Sequence, residues 1–170
     1  MMTPLGGFVS SAHLADGELP ALSELEFGLI LLSHAFERWM VRCARAAGVN
    51  DLSPLDVLVL HSVNHRDRQK RLADVCLVLN IEDTHTVDYS VRKLQKLKLV
   101  ETGKKGKEKM IGVTDQGKAL CKTYREYREA MLVQPLLSLD LKPEQLSHIA
   151  EQLRFLSGQY DQAARTAASI

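Results

Sequence analysis

The chain has 170 residues and a net charge of +1, with 45% apolar and 25% charged residues. That size supports a core without disulfides, and the balance excludes a disordered chain and most multidomain enzymes. No apolar run approaches the roughly 18 residues of a membrane span, and the N-terminus lacks a basic stretch leading into an apolar one, so a cytoplasmic protein with no membrane partner is expected.

Residues 1–21 are punctuated by Gly, Ser and Pro without a sustained period, which predicts a flexible N-terminal arm. Ser23 and Glu26 then form an S-x-x-E pattern that predicts a helix start, with Leu22 and Phe27 as its flanking apolar pair. Leu25, Leu29, Leu32, Phe36, Trp39 and Cys43 recur at steps of four and three, a heptad-like seam on a helix that stops near Gly48. Ser53 followed by Pro54 predicts a second start, because proline lacks an amide hydrogen that would have no partner there. That helix extends to about Asn64, and a basic loop over 66–71 follows.

Residues 72–79 predict a short buried helix closed by Asn80, which tolerates a left-handed backbone. Asp83 or Thr84 caps the next helix, with Val87, Val91, Leu94 and Leu97 facing inward. Two short helices across a tight turn are a helix-turn-helix candidate. The period then changes: residues 99–102 and 109–113 predict two strands, joined by a glycine and lysine tip at 103–108. Thr114 caps a further helix that Pro135 is expected to break, with Leu120, Tyr124, Tyr127 and Met131 inward. A last helix starts at Pro143 and carries Leu146, Ile149, Leu153, Leu156, Tyr160 and Ala163 at steps of three and four. The expected fold is mainly α: a winged helix-turn-helix with a β-hairpin wing and long N- and C-terminal dimerisation helices.

The neutral total hides an uneven distribution. Residues 92–122 hold ten Lys or Arg against three acids, a local +7, while the remainder carries −6. Such a block is the footprint of a polyanion contact, and a merely solvated lysine face is the plainer alternative.

From Leu52 to Lys122 the pattern resembles the MarR family of bacterial winged-helix regulators. The carrying stretches are Leu52-Ser53-Pro54-Leu55-Asp56-Val57-Leu58, Leu72-Ala73-Asp74-Val75, Val87 through Glu101, and Val113-Thr114-Asp115-Gln116-Gly117-Lys118-Ala119-Leu120. The resemblance implies a homodimer with one recognition helix per subunit in a DNA major groove, and a small-molecule effector as a further partner. It divides the chain into the arm at 1–21, a helical dimerisation region at 22–48 and 115–170, and a winged DNA-binding domain at 49–114. Three features depart from the family pattern. Tyr89 stands where Arg is frequent, lysines replace the wing's Asp-x-Arg, and Lys98 replaces the glycine that usually ends the recognition helix.

The outward face of the recognition helix offers Thr84, His85, Thr86, Asp88, Tyr89, Arg92 and Lys93 as DNA-binding candidates. First-turn residues of a major-groove helix usually reach base edges, and a carboxylate can accept from cytosine N4. Lys104, Lys105, Lys107 and Lys109 are the wing's candidates for phosphate. The dimerisation candidates are Leu25, Leu29, Leu32 and Phe36 on the first long helix and Leu146, Ile149, Leu153 and Leu156 on the last.

Other constellations carry less. His61 and His65 share the four-residue spacing of a helical metal pair but lack a third ligand, so no metal and no cofactor are expected. Cys43, Cys76 and Cys121 lie far apart, which gives no disulfide framework, and Cys43 is expected to behave as a small hydrophobe rather than an oxidant sensor. Trp39, Phe36, Tyr124 and Tyr127 are read as core and interface ahead of a ligand pocket. Gly103-x-x-Gly106-Lys107-Glu108 fails the phosphate-loop spacing, and no Ser elbow or zinc-protease box appears, so no enzyme is expected. Two rival readings stand beside the regulator: a winged-helix protein-interaction module without specific DNA reading, and a small-molecule-binding helical dimer.

Overall fold

The computed structural model describes residue 9, residues 11–139 and residues 141–170. They divide into two compact units, one ending at Arg125 and the other Glu126–Ile170. The first contains α1 (Ala12–Ala15), α2 (Pro20–Ala46), α3 (Pro54–Asn64), β1 (Lys70–Arg71), α4 (Leu72–Leu79), α5 (Thr84–Lys96), β2 (Val100–Lys105) and β3 (Glu108–Val113). It also holds most of α6 (Asp115–Arg128). The second contains a π-helical segment (Glu129–Val133), α7 (Gln134–Leu137) and α8 (Pro143–Ala167). The mainly helical winged fold is as expected. Among the described residues, no helix is long and apolar enough to cross a membrane.

Several boundaries differ from the sequence expectation. The predicted arm lies outside the described residues at 1–8 and 10, whereas Ala12–Ala15 forms a helical turn beside α2. The first long helix starts at Pro20 rather than Ser23, because proline's fixed φ suits the first helical turn; Ser23 is buried within the helix and caps nothing. The basic loop is partly a strand, with Lys70 pairing Ile111 and Arg71 pairing Met110. Pro135 does not break the chain's helical course. It sits in the first turn of α7, after the wider π segment, where its ring escapes the carbonyl four residues back.

The winged core forms where α3 and α5 pack over the sheet. Val57, Leu60 and Val63 of α3 meet Val87, Val91 and Leu94 of α5 and Ile111 of β3, all buried. Each such side chain contributes about 1.5–3 kcal/mol on leaving water. The sheet is antiparallel in the order β1-β3-β2, with Val100 opposite Val113 and Lys105 opposite Glu108. Gly106 and Lys107 alone make the turn, and Gly106 takes φ +64° as the first central position of a type II′ turn requires. The wing is therefore longer and its loop tighter than the sequence predicted, and Lys104 and Lys105 belong to β2.

Helix stops are made by left-handed residues. Asn80 closes α4 at φ 53°, as expected. Lys98 does the same for α5 at φ 59°, with the Leu99 amide bonded to the Leu94 carbonyl and the Lys98 amide to Gln95. Lysine thus adopts the conformation that glycine would take more cheaply. Thr114 Oγ1 donates to the Lys98 carbonyl at 2.6 Å and accepts from the Gly117 amide at 3.1 Å, so one side chain fixes that stop and caps α6. Gly117 lies so close to the Leu99 carbonyl that any Cβ would collide with it.

α2 and α8 each leave large apolar side chains in water. Leu32 and Phe36 of α2 are 58% and 50% exposed, and Leu146, Ile149 and Phe155 of α8 are 47%, 51% and 62% exposed. Leu25 and Leu29 on α2, and Leu153 and Leu156 on α8, are half-buried.

Candidate nucleic-acid interface

α5 enters from an Asp83 cap whose carboxylate accepts from the His85 amide at 2.9 Å. Thr86 Oγ1 donates to the Asp83 carbonyl at 2.8 Å, which leaves its methyl and oxygen lone pair outward. Thr84, His85 and Tyr89 are exposed, Tyr89 at 72%. Val87, Ser90, Val91 and Leu94 fill the opposite face. The first turn of α5 is consequently a polar surface that, among the described residues, makes no ion pair.

Four of the predicted site residues are held in ion pairs. Asp88 takes Arg92 Nη2 at 2.6 Å along the helix and Lys109 Nζ at 2.6 Å from β3. Those cations, Lys109 foremost, hold its carboxyl below the ordinary value against the cost of burial. Asp88 therefore ties the helix to the wing. Lys93 turns inward, with Nζ 2.7 Å from Asp56 Oδ2.

Asp56 was missed as a site residue from sequence. Its side chain is 2% exposed and accepts from the Ser53 amide at 2.8 Å, while the Ser53 hydroxyl accepts from the Asp56 amide. The signal was available: a Ser-Pro start followed by an acid at the third position is a capping box. Burial alone would raise this carboxyl, but Lys93, Ser53 and Ser90 outweigh it and the pKa is lowered. The N-terminus of α3 and the middle of α5 are thus welded by one buried carboxylate.

On the wing, Lys104, Lys105 and Lys107 are exposed and, among the described residues, make no ion pair. Arg71 braces the wing from β1. Its guanidinium grips Asp74 at 2.7 and 2.9 Å and reaches Glu108 at 3.2 Å, beside the hairpin turn.

The two histidines have different surroundings. The His61 ring stands edge-on to Tyr124 at 4.5 Å and is kept neutral to lower pH by burial, whereas the His65 carbonyl accepts from Lys70. Trp39 also meets Tyr124 edge-on, at 6.5 Å. Cys43 is buried and donates to the Tyr124 carbonyl, and burial raises its pKa. Burial likewise pushes Cys121 up to about 11. Neither thiol has the electropositive, open setting that makes a thiolate.

Residues 52–117 match the winged helix DNA-binding domain family. Among curated proteins no sequence matches the chain. Solved structures share the fold. A cysteine-to-serine mutant of MarR from E. coli, complexed with operator DNA, is 14% identical with a TM-score of 0.65, covering 83% of this chain and 99% of its own. A MarR-family transcriptional regulator from Rhodococcus sp. RHA1 is 13% identical, TM-score 0.63, covering 83% and 95%. CouR from Rhodococcus jostii RHA1, bound to p-coumaroyl-CoA, is 12% identical, TM-score 0.61, covering 78% and 90%. The expected resemblance to the MarR family is borne out in the fold, and the matched family describes a DNA-binding domain rather than a catalytic one.

Proposed function

We propose that this winged-helix chain, built on the fold of the MarR regulators, is a homodimeric DNA-binding transcriptional regulator of a pseudo-palindromic operator. One observation carries the reading: the first turn of α5 and the lysines of the wing are both exposed, mounted on one winged unit and, among the described residues, in no ion pair. In this arrangement Thr84, His85, Thr86 and Tyr89 read base edges in the major groove, while Lys104, Lys105 and Lys107 meet phosphate. Asp88 and Lys93 act behind them, fixing the wing and the helix rather than touching bases.

Dimerisation brings together the exposed apolar faces of α2 and α8 from two subunits. Leu32, Phe36, Leu146 and Ile149 are too large and too exposed to remain in water on a stable monomer. An obligate interface of this kind buries more than about 2,000 Å². A small-molecule effector is supported by the fold shared with a ligand-bound relative. A cytoplasmic site of action follows from the DNA partner.

Selection of bound sequences from a random duplex pool tests the function. A two-fold symmetric motif is expected, with its half-sites about one helical turn apart. Recovery of unenriched sequence would favour the protein-interaction module. Sedimentation at micromolar concentration should give a dimer, and Leu153→Glu should weaken the dimer and the operator affinity together.

A further inference from the structure

α2 carries Arg38, Arg42 and Arg45 at positions i, i+4 and i+7, which lie along one side of a helix. Arg38 follows Phe36 by two residues and Arg45 follows Cys43 by two, a rotation of about 200° at 3.6 residues per turn. The arginines therefore face away from the apolar seam, and a dimer closed through that seam leaves them open. All three are exposed, and among the described residues none has a carboxylate partner. With His34, Glu37 and Pro54 they border an open groove of about 400 Å³.

Pro54 is the first residue of α3 and borders this groove. Its neighbours Ser53, Leu55 and Asp56 border a second groove, of about 390 Å³, whose other wall is His85, Thr86 and Tyr89 of α5. A single helix end thus separates the arginine groove from the face assigned to base reading.

We propose that Arg38, Arg42 and Arg45 form a second phosphate track, gripping the backbone of the same duplex whose major groove receives α5. The proposal rests on the DNA-binding reading above. Seven residues of α-helix span about 10.5 Å. A DNA strand presents one phosphate per about 3.4 Å of axis, so 10.5 Å covers about three phosphate steps, and the three guanidiniums can reach three of the phosphates along it. Arginine suits this task because its planar fork donates two parallel hydrogen bonds to phosphate oxygens. An open trough suits the edge of a passing polymer, whereas a small ligand needs most of its surface enclosed. Glu37 is the one acid in the lining and opposes the track.

The test uses the full chain and a random-sequence duplex, titrated across a range of salt. Each lost phosphate contact flattens the slope of log K against log salt by about 0.9. Arg38→Gln, Arg42→Gln and Arg45→Gln together should flatten it by about 5 for a dimer, and Arg42→Gln alone by about 2. Glu37→Gln should raise affinity. On the selected operator, hydroxyl-radical protection of about three sugars per half-site should vanish in the triple variant while major-groove protection of guanines persists. An unchanged slope and footprint in the triple variant, or in Arg42→Gln should the triple variant unfold, overturns the track and leaves the DNA-binding reading intact. A wild-type protein that binds no duplex overturns both.

Discussion

Replacing Asp56 by Asn keeps the size of the buried side chain and an acceptor for the Ser53 amide, but removes its charge. The wild-type carboxylate bonds Lys93 Nζ at 2.7 Å and the Ser53 amide at 2.8 Å. A hydrogen bond to a charged group contributes about 1.5–3 kcal/mol. Lys93 is 31% exposed and can regain water, which places the loss near 2 kcal/mol, toward the lower end of that range. Urea unfolding at one protein concentration should therefore show a lower midpoint with an unchanged m value. The pH dependence identifies the cause. Because the native pKa of Asp56 is lowered, its contribution is complete above the unfolded value of about 3.9 and fades as pH falls through the native value. Wild type and variant should differ most at neutral pH and converge in acid. A gap that stays constant from pH 7 to well below pH 4 (about the unfolded carboxyl value) would refute the ion-pair account.

Changing Lys104, Lys105 and Lys107 together to Gln should flatten the salt slope of operator binding by about 5 if all three touch phosphate in both subunits, with base preference preserved; an unchanged slope would make the wing a solvated tip. Lys98→Gly should stabilise the protein by about 1 kcal/mol in chemical unfolding, since lysine holds a left-handed φ of 59° there. Gly117→Ala should destabilise by about 3 kcal/mol or more, because the new Cβ meets the Leu99 carbonyl and backbone must move to admit it.

Local rules carried most of the fold. Ser53 with Pro54, Asp83 before α5, Thr114 before α6 and Pro143 as the first residue of α8 each mark a helix start by a mechanism that needs only neighbouring residues. Asn80 marks a stop in the same way. What escaped depends on distant partners. Lys70 and Arg71 become a strand only because β3 offers an edge, and two residues carry no period of their own. Lys98 ends α5 without glycine because Thr114, sixteen residues on, holds its carbonyl. For the site, the sequence supplied the exposed face of α5 and the lysine wing, since amphipathic spacing and charge are visible in one dimension. It could not show that Asp88, Arg92 and Lys109 are one cluster, nor that Lys93 faces Asp56 rather than solvent. Those pairings join side chains 21 and 37 residues apart.

The wing is held near its tip from two sides: Lys109 binds Asp88 of α5, and its neighbour Glu108, beside the turn, binds Arg71 of β1. A hairpin so braced behaves as the fixed jaw of a calliper rather than as a loose finger. In the proposed complex with DNA, the distance between the first turn of α5 and the tip of the wing is then set by the protein, and the duplex must meet it. Sequences whose grooves already have that width bind without strain, while stiffer or wider ones incur a deformation cost of order 1–6 kcal/mol when bending is required. On the proposed reading, the stiffness of this frame gives a preference at base pairs that no side chain touches.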